Sequence, residues 1–156
     1  MKDFILTEHQ DDLDTESKYL VHKAKEATQH AYAPYSRFTV GAAVLLEDGT
    51  VITGTNQENA AYPSGMCAER VALFTVSSLH PEAIIKKIAV VARKKTSKDL
   101  TPATCCGSCR QVMLEFEARQ HKPMKVIMQG QDHRWIQAPS AASLLPFGFT
   151  KESLEK

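Results

Sequence analysis

Two short stretches far apart in the chain constrain it most: Met66-Cys67-Ala68-Glu69-Arg70 and Cys105-Cys106-Gly107-Ser108-Cys109-Arg110. Between them they hold all 4 cysteines. The first places a cysteine two residues before a glutamate; the second contains a C-x-x-C, Cys106 to Cys109. A fold that brings these stretches together puts three thiolates at one point. Three thiolates can hold a zinc ion tetrahedrally and leave its fourth position open for water, the arrangement of a catalytic rather than a structural site. Such a metal lowers the pKa of its bound water, and Glu69 would then stand where it can move protons for that water. Each piece alone has plainer readings. C-x-x-C also marks redox pairs and structural zinc sites, an isolated cysteine is commonly a small buried residue, and a helix glutamate is commonly solvated.

The combination narrows the choice. C-x-E, a long gap and C-x-x-C is the ligand pattern of the zinc deaminases, in the variant with cysteine at all three ligand positions. Further stretches extend the likeness: Ala33-Pro34-Tyr35-Ser36-Arg37-Phe38-Thr39-Val40-Gly41-Ala42-Ala43, then Asn56-Gln57-Glu58-Asn59-Ala60-Ala61-Tyr62-Pro63. Cys106-Gly107-Ser108-Cys109-Arg110-Gln111-Val112 and Leu144-Leu145-Pro146 complete it. With five motifs in order over nearly its whole length, the chain resembles the small cytidine deaminases. One departure is plain, since Cys105 stands where that family usually has proline.

The resemblance implies hydrolytic deamination of cytidine and deoxycytidine at C4 of the cytosine ring, in pyrimidine salvage. One Zn²⁺ per chain would sit on Cys67, Cys106 and Cys109, and Glu69 would carry protons to N3 and to the departing amine. Arg70 matches an arginine that interacts with the zinc-bound cysteines. Asn56 and Glu58 match a pair that binds the ribose, chiefly at its 3′-hydroxyl; Phe38 matches an aromatic beside the nucleoside, and the backbone of Ala68 is expected to hold the pyrimidine. The resemblance further implies a homotetramer, in which Ala61, Tyr62 and a C-terminal phenylalanine would serve a neighbouring subunit's site. Phe149 is the better match for that phenylalanine, with Phe147 two residues away. Two other readings compete: a deaminase of a modified cytosine nucleoside such as blasticidin S, and a non-catalytic zinc module that binds a partner. The second leaves Glu69 without a task.

Composition bounds the rest. The 156 residues suit one domain with a substantial core, about 1–14 forming an N-terminal arm. A formal net charge of +1 gives no long-range pull toward nucleic acid or an anionic membrane. A nucleic-acid deaminase would also usually carry histidine rather than Cys67 at the first ligand position. Arg93, Lys94, Lys95 and Lys98 form a basic run without interleaved aromatics, which reads as a solvated loop. No run is apolar for long enough to span a bilayer, and residues Met1 to Glu8 lack the apolar segment and cleavage site of a signal peptide. The chain is therefore expected in a reducing cytoplasm, its cysteines thiols or metal ligands rather than disulfides.

Periodicity supplies the elements. Leu20, Ala24, Ala27 and Ala31 fall at helical spacing, so a helix is expected from about Thr15 to Ala31, ended by Pro34. Phe38–Leu46 and Val51–Asn56 flank an Asp48-Gly49 turn as a hairpin. A helix follows from about Cys67 to Ser78, with Cys67 in its first turn. Ile88-Ala89-Val90-Val91-Ala92 is a continuous apolar run suited to a strand covered on both faces. A second helix opens at about Gly107, and short strands are expected at Val126–Met128 and Trp135–Ile136. This order predicts a three-layer α/β/α sandwich with a mixed central sheet. Cys105 precedes the turn of the second helix, so its side chain is expected to face away from the metal position.

Overall fold

The computed structural model describes residues 3–155; Met1, Lys2 and Lys156 lie outside the described residues. Nine elements carry the fold: β1 Ile5–Thr7, α1 Thr15–Ala27, β2 Phe38–Leu46, β3 Val51–Thr55, α2 Ala68–Leu79, β4 Ile85–Lys94, α3 Gly107–Gln120, β5 Lys125–Gln129 and β6 Trp135–Ala138. The strands form one sheet in the order β1-β6-β5-β4-β2-β3. It is mixed, as expected: β4 and β5 run parallel with α3 as their crossover, and the remaining pairs are antiparallel.

Side-chain alternation splits the core in two. Ala42, Val44, Ile88, Val90, Val126 and Met128 face α2 and α3. The residues between them, Ala43, Leu45, Ala89, Val91 and Ile127, face α1 together with Trp135. Strands apolar on both faces must be covered on both, so the apolar run in β4 gives the central layer of a three-layer sandwich. The α1 face also buries a cation. Lys87 on β4 reaches Asp14 at 3.2 Å, Glu16 at 2.9 Å and the Ser17 hydroxyl at 3.1 Å, which pairs its charge where water cannot.

Several boundaries differ from the sequence reading. Thr15–Ala27 is α-helical, and the expected last turn tightens to a 3-10 segment over Thr28–His30. Asp14 is the N-cap of α1 and accepts from the Ser17 N–H at 2.9 Å. Within the N-terminal arm, Ile5–Thr7 pairs antiparallel with β6 as an edge strand; three residues are too few to show a period-2 pattern. Arg93 and Lys94 belong to β4 rather than to the following loop. Arg93 is committed to the fold, donating to the Thr28 hydroxyl at 2.7 Å and the Ser97 carbonyl at 3.1 Å.

Two glycines set how closely helices approach the sheet. A Cβ on Gly41 would lie 2.0 Å from the Ala24 carbonyl of α1, and one on Gly54 would lie 2.4 Å from the Ala72 nitrogen and 2.5 Å from the Ala68 carbonyl of α2. These neighbours are backbone atoms and cannot yield without moving the helix. The turn of α2 that rests on Gly54 is the one carrying Glu69. Gly54→Ala is therefore expected to cost about 2–3 kcal/mol of stability, measured as a lower urea midpoint at unchanged m-value.

Candidate metal centre and cavity

Both metal-binding stretches are built the same way. Cys67 and Cys106 are N-caps of α2 and α3, in extended conformation at φ −72°, ψ 151° and φ −69°, ψ 165°. Cys67 thus stands one residue before the first turn in which the periodicity put it. Cys109 lies in the first turn of α3, where the Cys109 N–H donates to the Cys106 sulfur at 3.5 Å. Because α2 and α3 lie on the same sheet face, their N-termini meet, and unpaired N–H groups and helix dipoles from both favour negative charge there.

The sulfurs of Cys67, Cys106 and Cys109 all lie within 4.8 Å of one another, those of Cys67 and Cys106 at 3.9 Å. Tetrahedral zinc with bonds of about 2.3 Å needs sulfurs about 3.8 Å apart, so the donor set and its spacing fit zinc. Cys109 is buried, Cys67 half-buried and Cys106 exposed, which leaves the cluster one open side. Cys105 is buried and is not one of the trio.

Charge at the cluster is balanced from within the chain. Contact with the Cys109 thiol, followed by the Arg70 guanidinium and the Cys106 thiol, pulls the Cys67 pKa down to about 5. The same contact with Cys67, together with burial, pushes Cys109 up. The trio therefore shares protons that a cation at its centre would displace. Arg70 donates from Nη2 to the Cys67 sulfur at 3.5 Å, and this bond holds it firmly protonated.

The open side faces a cavity of about 370 Å³, a volume suited to a small ligand. Cys67, Ala68, Glu69 and Cys106 line one part of it, and Phe38, Asn56 and Glu58 another. Glu69 is only 4% exposed; burial, reinforced by the nearby Cys67 sulfur, raises its carboxyl pKa. Glu58 behaves oppositely. Ser36, through side chain and backbone, and the Tyr35 N–H hold its carboxyl below the usual range. Both N–H groups, at 2.9 Å and 3.1 Å, go to Oε1, so Oε2 is left for another donor. Asn56 locks the start of β2, accepting from the Val40 N–H at 2.8 Å and donating to the Phe38 carbonyl at 2.9 Å. Its second amide hydrogen is left for the cavity.

Not every singled-out residue reaches this cavity. Ala61 and Tyr62 lie on an exposed 3-10 turn, and Tyr62 packs edge-on against Tyr35 with ring centroids 6.0 Å apart. Phe149 is exposed on the C-terminal turn, where its carbonyl accepts from Gln111 at 2.8 Å. Phe147 is fully exposed, with a left-handed φ of 58°. Sequence reasoning missed Val90, Ala103 and Thr104, which also line the cavity. The signal for the last two was their position just before Cys105 and Cys106; Val90 looked like any core residue of β4.

The profile of the cytidine and deoxycytidylate deaminase zinc-binding region matches residues 14–124. A cytidine deaminase of Halalkalibacterium halodurans is 44% identical over 135 residues, 86% of this chain and 95% of that one. The chain belongs to this deaminase family. A cytidine deaminase of Sporosarcina psychrophila is 41% identical, over 86% of this chain and 92% of its own. Among solved structures, the cytidine deaminase of Burkholderia pseudomallei superposes with a TM-score of 0.69 at 38% identity, covering 84% of this chain and 97% of that one. Family membership and the sulfur geometry agree on zinc as the cofactor.

Removing any one of three convergent thiolates should release the metal. Cys106→Ala and Cys109→Ala are each expected to lose zinc, whereas Cys105→Ala keeps one zinc per chain, as measured by elemental analysis of the purified proteins.

Proposed function

We propose that the chain is a zinc-dependent hydrolase that converts cytidine and deoxycytidine, with water, to uridine and deoxyuridine plus ammonia, as a step of pyrimidine salvage in the cytoplasm. One observation carries the reading: the buried Glu69 carboxyl and a three-thiol metal site share one wall of a cavity of nucleoside size. The relatives named above are cytidine deaminases.

In this reading Cys67, Cys106 and Cys109 hold zinc, which supplies Lewis acidity that makes water nucleophilic near neutral pH. Glu69 accepts a proton as water adds to C4 and gives it to ring N3. It then takes the remaining proton from the C4 hydroxyl and delivers it to the exocyclic nitrogen, so that the C4–N bond breaks, ammonia departs and the C4 carbonyl forms. A carboxyl with raised pKa suits a group that must act as base and then as acid in one cycle. Arg70 withdraws charge from the sulfurs, because three thiolates outweigh a divalent ion by one negative charge.

Recognition follows from the opposite part of the cavity. Oε2 of Glu58 and the spare amide hydrogen of Asn56 suit the ribose 3′-hydroxyl as acceptor and donor, while Phe38 packs beside the nucleoside and the Ala68 backbone holds the pyrimidine. Ala61, Tyr62 and Phe149 stand outside this chain's own cavity and exposed, which suits contribution to a neighbouring copy in a homotetramer. A non-catalytic zinc module would leave a buried carboxyl facing a cavity with nothing to do, at a desolvation cost.

Incubation of the zinc-loaded protein with cytidine is expected to give uridine. Glu69→Gln keeps the fold and the zinc yet lowers kcat at least about 10²–10⁴-fold; a variant with more than a tenth of the activity left would exclude Glu69 as the proton carrier. Static light scattering of the active protein is expected to give four times the chain mass, and an active monomer would refute shared sites.

A further inference from the structure

Among the described residues, four other than glycine hold a left-handed backbone: Arg37, His121, His133 and Phe147. His121 caps the end of α3, and His133 lies in the turn that joins β5 to β6. Arg37, at φ 55°, stands between two residues that line the cavity, Ser36 and Phe38, without lining it itself. The bonds on its two sides lead to different cavity groups. Before it, the Tyr35 and Ser36 N–H groups donate to Glu58 Oε1 at 2.9 Å and 3.1 Å. After it, the Phe38 carbonyl accepts from the Asn56 amide at 2.9 Å, and the Val40 N–H donates to Asn56 Oδ1 at 2.8 Å. Arg37 is itself held on both sides: its N–H donates to the Ala33 carbonyl at 3.1 Å, and its carbonyl accepts from the Lys95 N–H at 2.8 Å.

We propose that Arg37 is a positioning residue, whose left-handed backbone is the pivot that sets the Glu58 carboxylate relative to the Asn56 amide and so selects nucleosides that carry a 3′-hydroxyl. The inference rests on the functional reading above, in which these two side chains meet that hydroxyl together. The bond from Arg37 N–H to Ala33 closes a tight turn, and a left-handed residue at its end lets the chain reverse direction, as it does at the end of a helix. The reversal delivers Phe38 to its place opposite Lys94 at the start of β2. At an ordinary negative φ the chain would leave the turn in another direction. Either Tyr35 and Ser36 would then lose Glu58, or Phe38 would lose Asn56, and each loss frees one ribose-binding group while the other stays in place. Tyr32 already anchors the backbone behind both, donating to the Asn56 carbonyl at 3.0 Å and accepting from the Glu58 N–H at 2.9 Å. What the pivot governs is therefore their side chains. The exposed guanidinium plays no part in this. What is needed is the backbone angle, which glycine adopts freely and a β-branched residue resists.

Two variants of the zinc-loaded protein separate backbone from side chain. Arg37→Val resists the left-handed angle, whereas Arg37→Gly keeps the angle and removes the guanidinium. Arg37→Val is expected to raise KM for cytidine about tenfold, the scale of one hydrogen bond to a charged group. Its kcat should stay within about twofold, the signature of lost binding shared by ground and transition states. On 3′-deoxycytidine, which lacks the hydroxyl, Arg37→Val should leave KM unchanged, and Arg37→Gly should match wild type on both substrates. An unchanged KM for cytidine in Arg37→Val, an equal rise on both substrates, or the same loss in Arg37→Gly overturns the pivot. Amide hydrogen exchange by NMR gives a readout that needs no turnover. The Tyr35 and Ser36 amides are expected to exchange slowly in wild type and Arg37→Gly, and faster in Arg37→Val and Glu58→Ala. Equal protection in wild type and Arg37→Val overturns the pivot as well. Wild-type protein that leaves cytidine unconverted, or that binds 3′-deoxycytidine equally well, overturns the functional reading and with it the effect on KM, while amide exchange still decides the pivot.

Discussion

The structure depends on one packing constraint: α2 and α3 must lie side by side on the same face of the sheet with their N-termini at the same place. Everything chemical follows from that meeting. Cys67 and Cys106 are N-caps, the positions from which a side chain naturally turns back over the first N–H groups of its helix. Two caps brought together therefore aim two sulfurs at one point, and Cys109, in the first turn of α3, adds the third. Gly54 enables this by letting the backbone of α2 sit on β3 with no side chain between them. A fold that placed α3 on the other face would leave the same residues as two unrelated half-sites.

The meeting is electrostatically costly unless something answers the negative charge. Three thiolates exceed the charge of a divalent cation, and the chain supplies compensation from short range. Two helix ends contribute N–H groups, and Arg70 contributes a full charge at 3.5 Å from the Cys67 sulfur. Arg70 is three residues beyond Cys67, one helical turn, so the same helix provides both the sulfur and its counter-charge. Lys87 on the opposite sheet face follows the same logic in a structural role: its ammonium is buried only because Asp14, Glu16 and Ser17 come to it.

How much of this was legible in the sequence depends on whether the information is local. The ligand trio and Glu69 were readable because C-x-E and C-x-x-C are local patterns that match the zinc deaminases, and Arg70 because it stands beside Glu69; that Cys67 is a cap rather than a first-turn residue was not. The two-faced β4 was readable from an unbroken apolar run, and with it the three-layer architecture. The edge strand Ile5–Thr7 was not, because its only reason to be extended is the free edge of β6. Val90, Ala103 and Thr104 were not legible as cavity wall either, since nothing distinguishes a core or loop residue from a lining one until the sheet is assembled. The burial of Lys87 was hidden for the same reason: its partners are some 70 residues away in sequence. Cys105 was legible as a departure from a pattern and as a residue outside the ligand set, but its burial was not.

The two carboxylates of the cavity show how environment divides labour between identical groups. Glu58 is half-buried and takes two backbone N–H bonds on one oxygen; these stabilise its anion and hold its carboxyl below the usual range. Glu69 sits on the dry side of the same cavity beside sulfur, and burial raises its pKa. Moving protons requires a group whose charged and neutral forms lie close in free energy, whereas binding a hydroxyl requires one whose charge does not change. Exchanging their surroundings would exchange their abilities, although the side chains are the same. The fold makes the assignment through depth and hydrogen bonding together: Glu69 lies in the first turn of a helix packed on the sheet, and Glu58 lies in the loop that leads toward that helix, where Tyr35 and Ser36 donate to it.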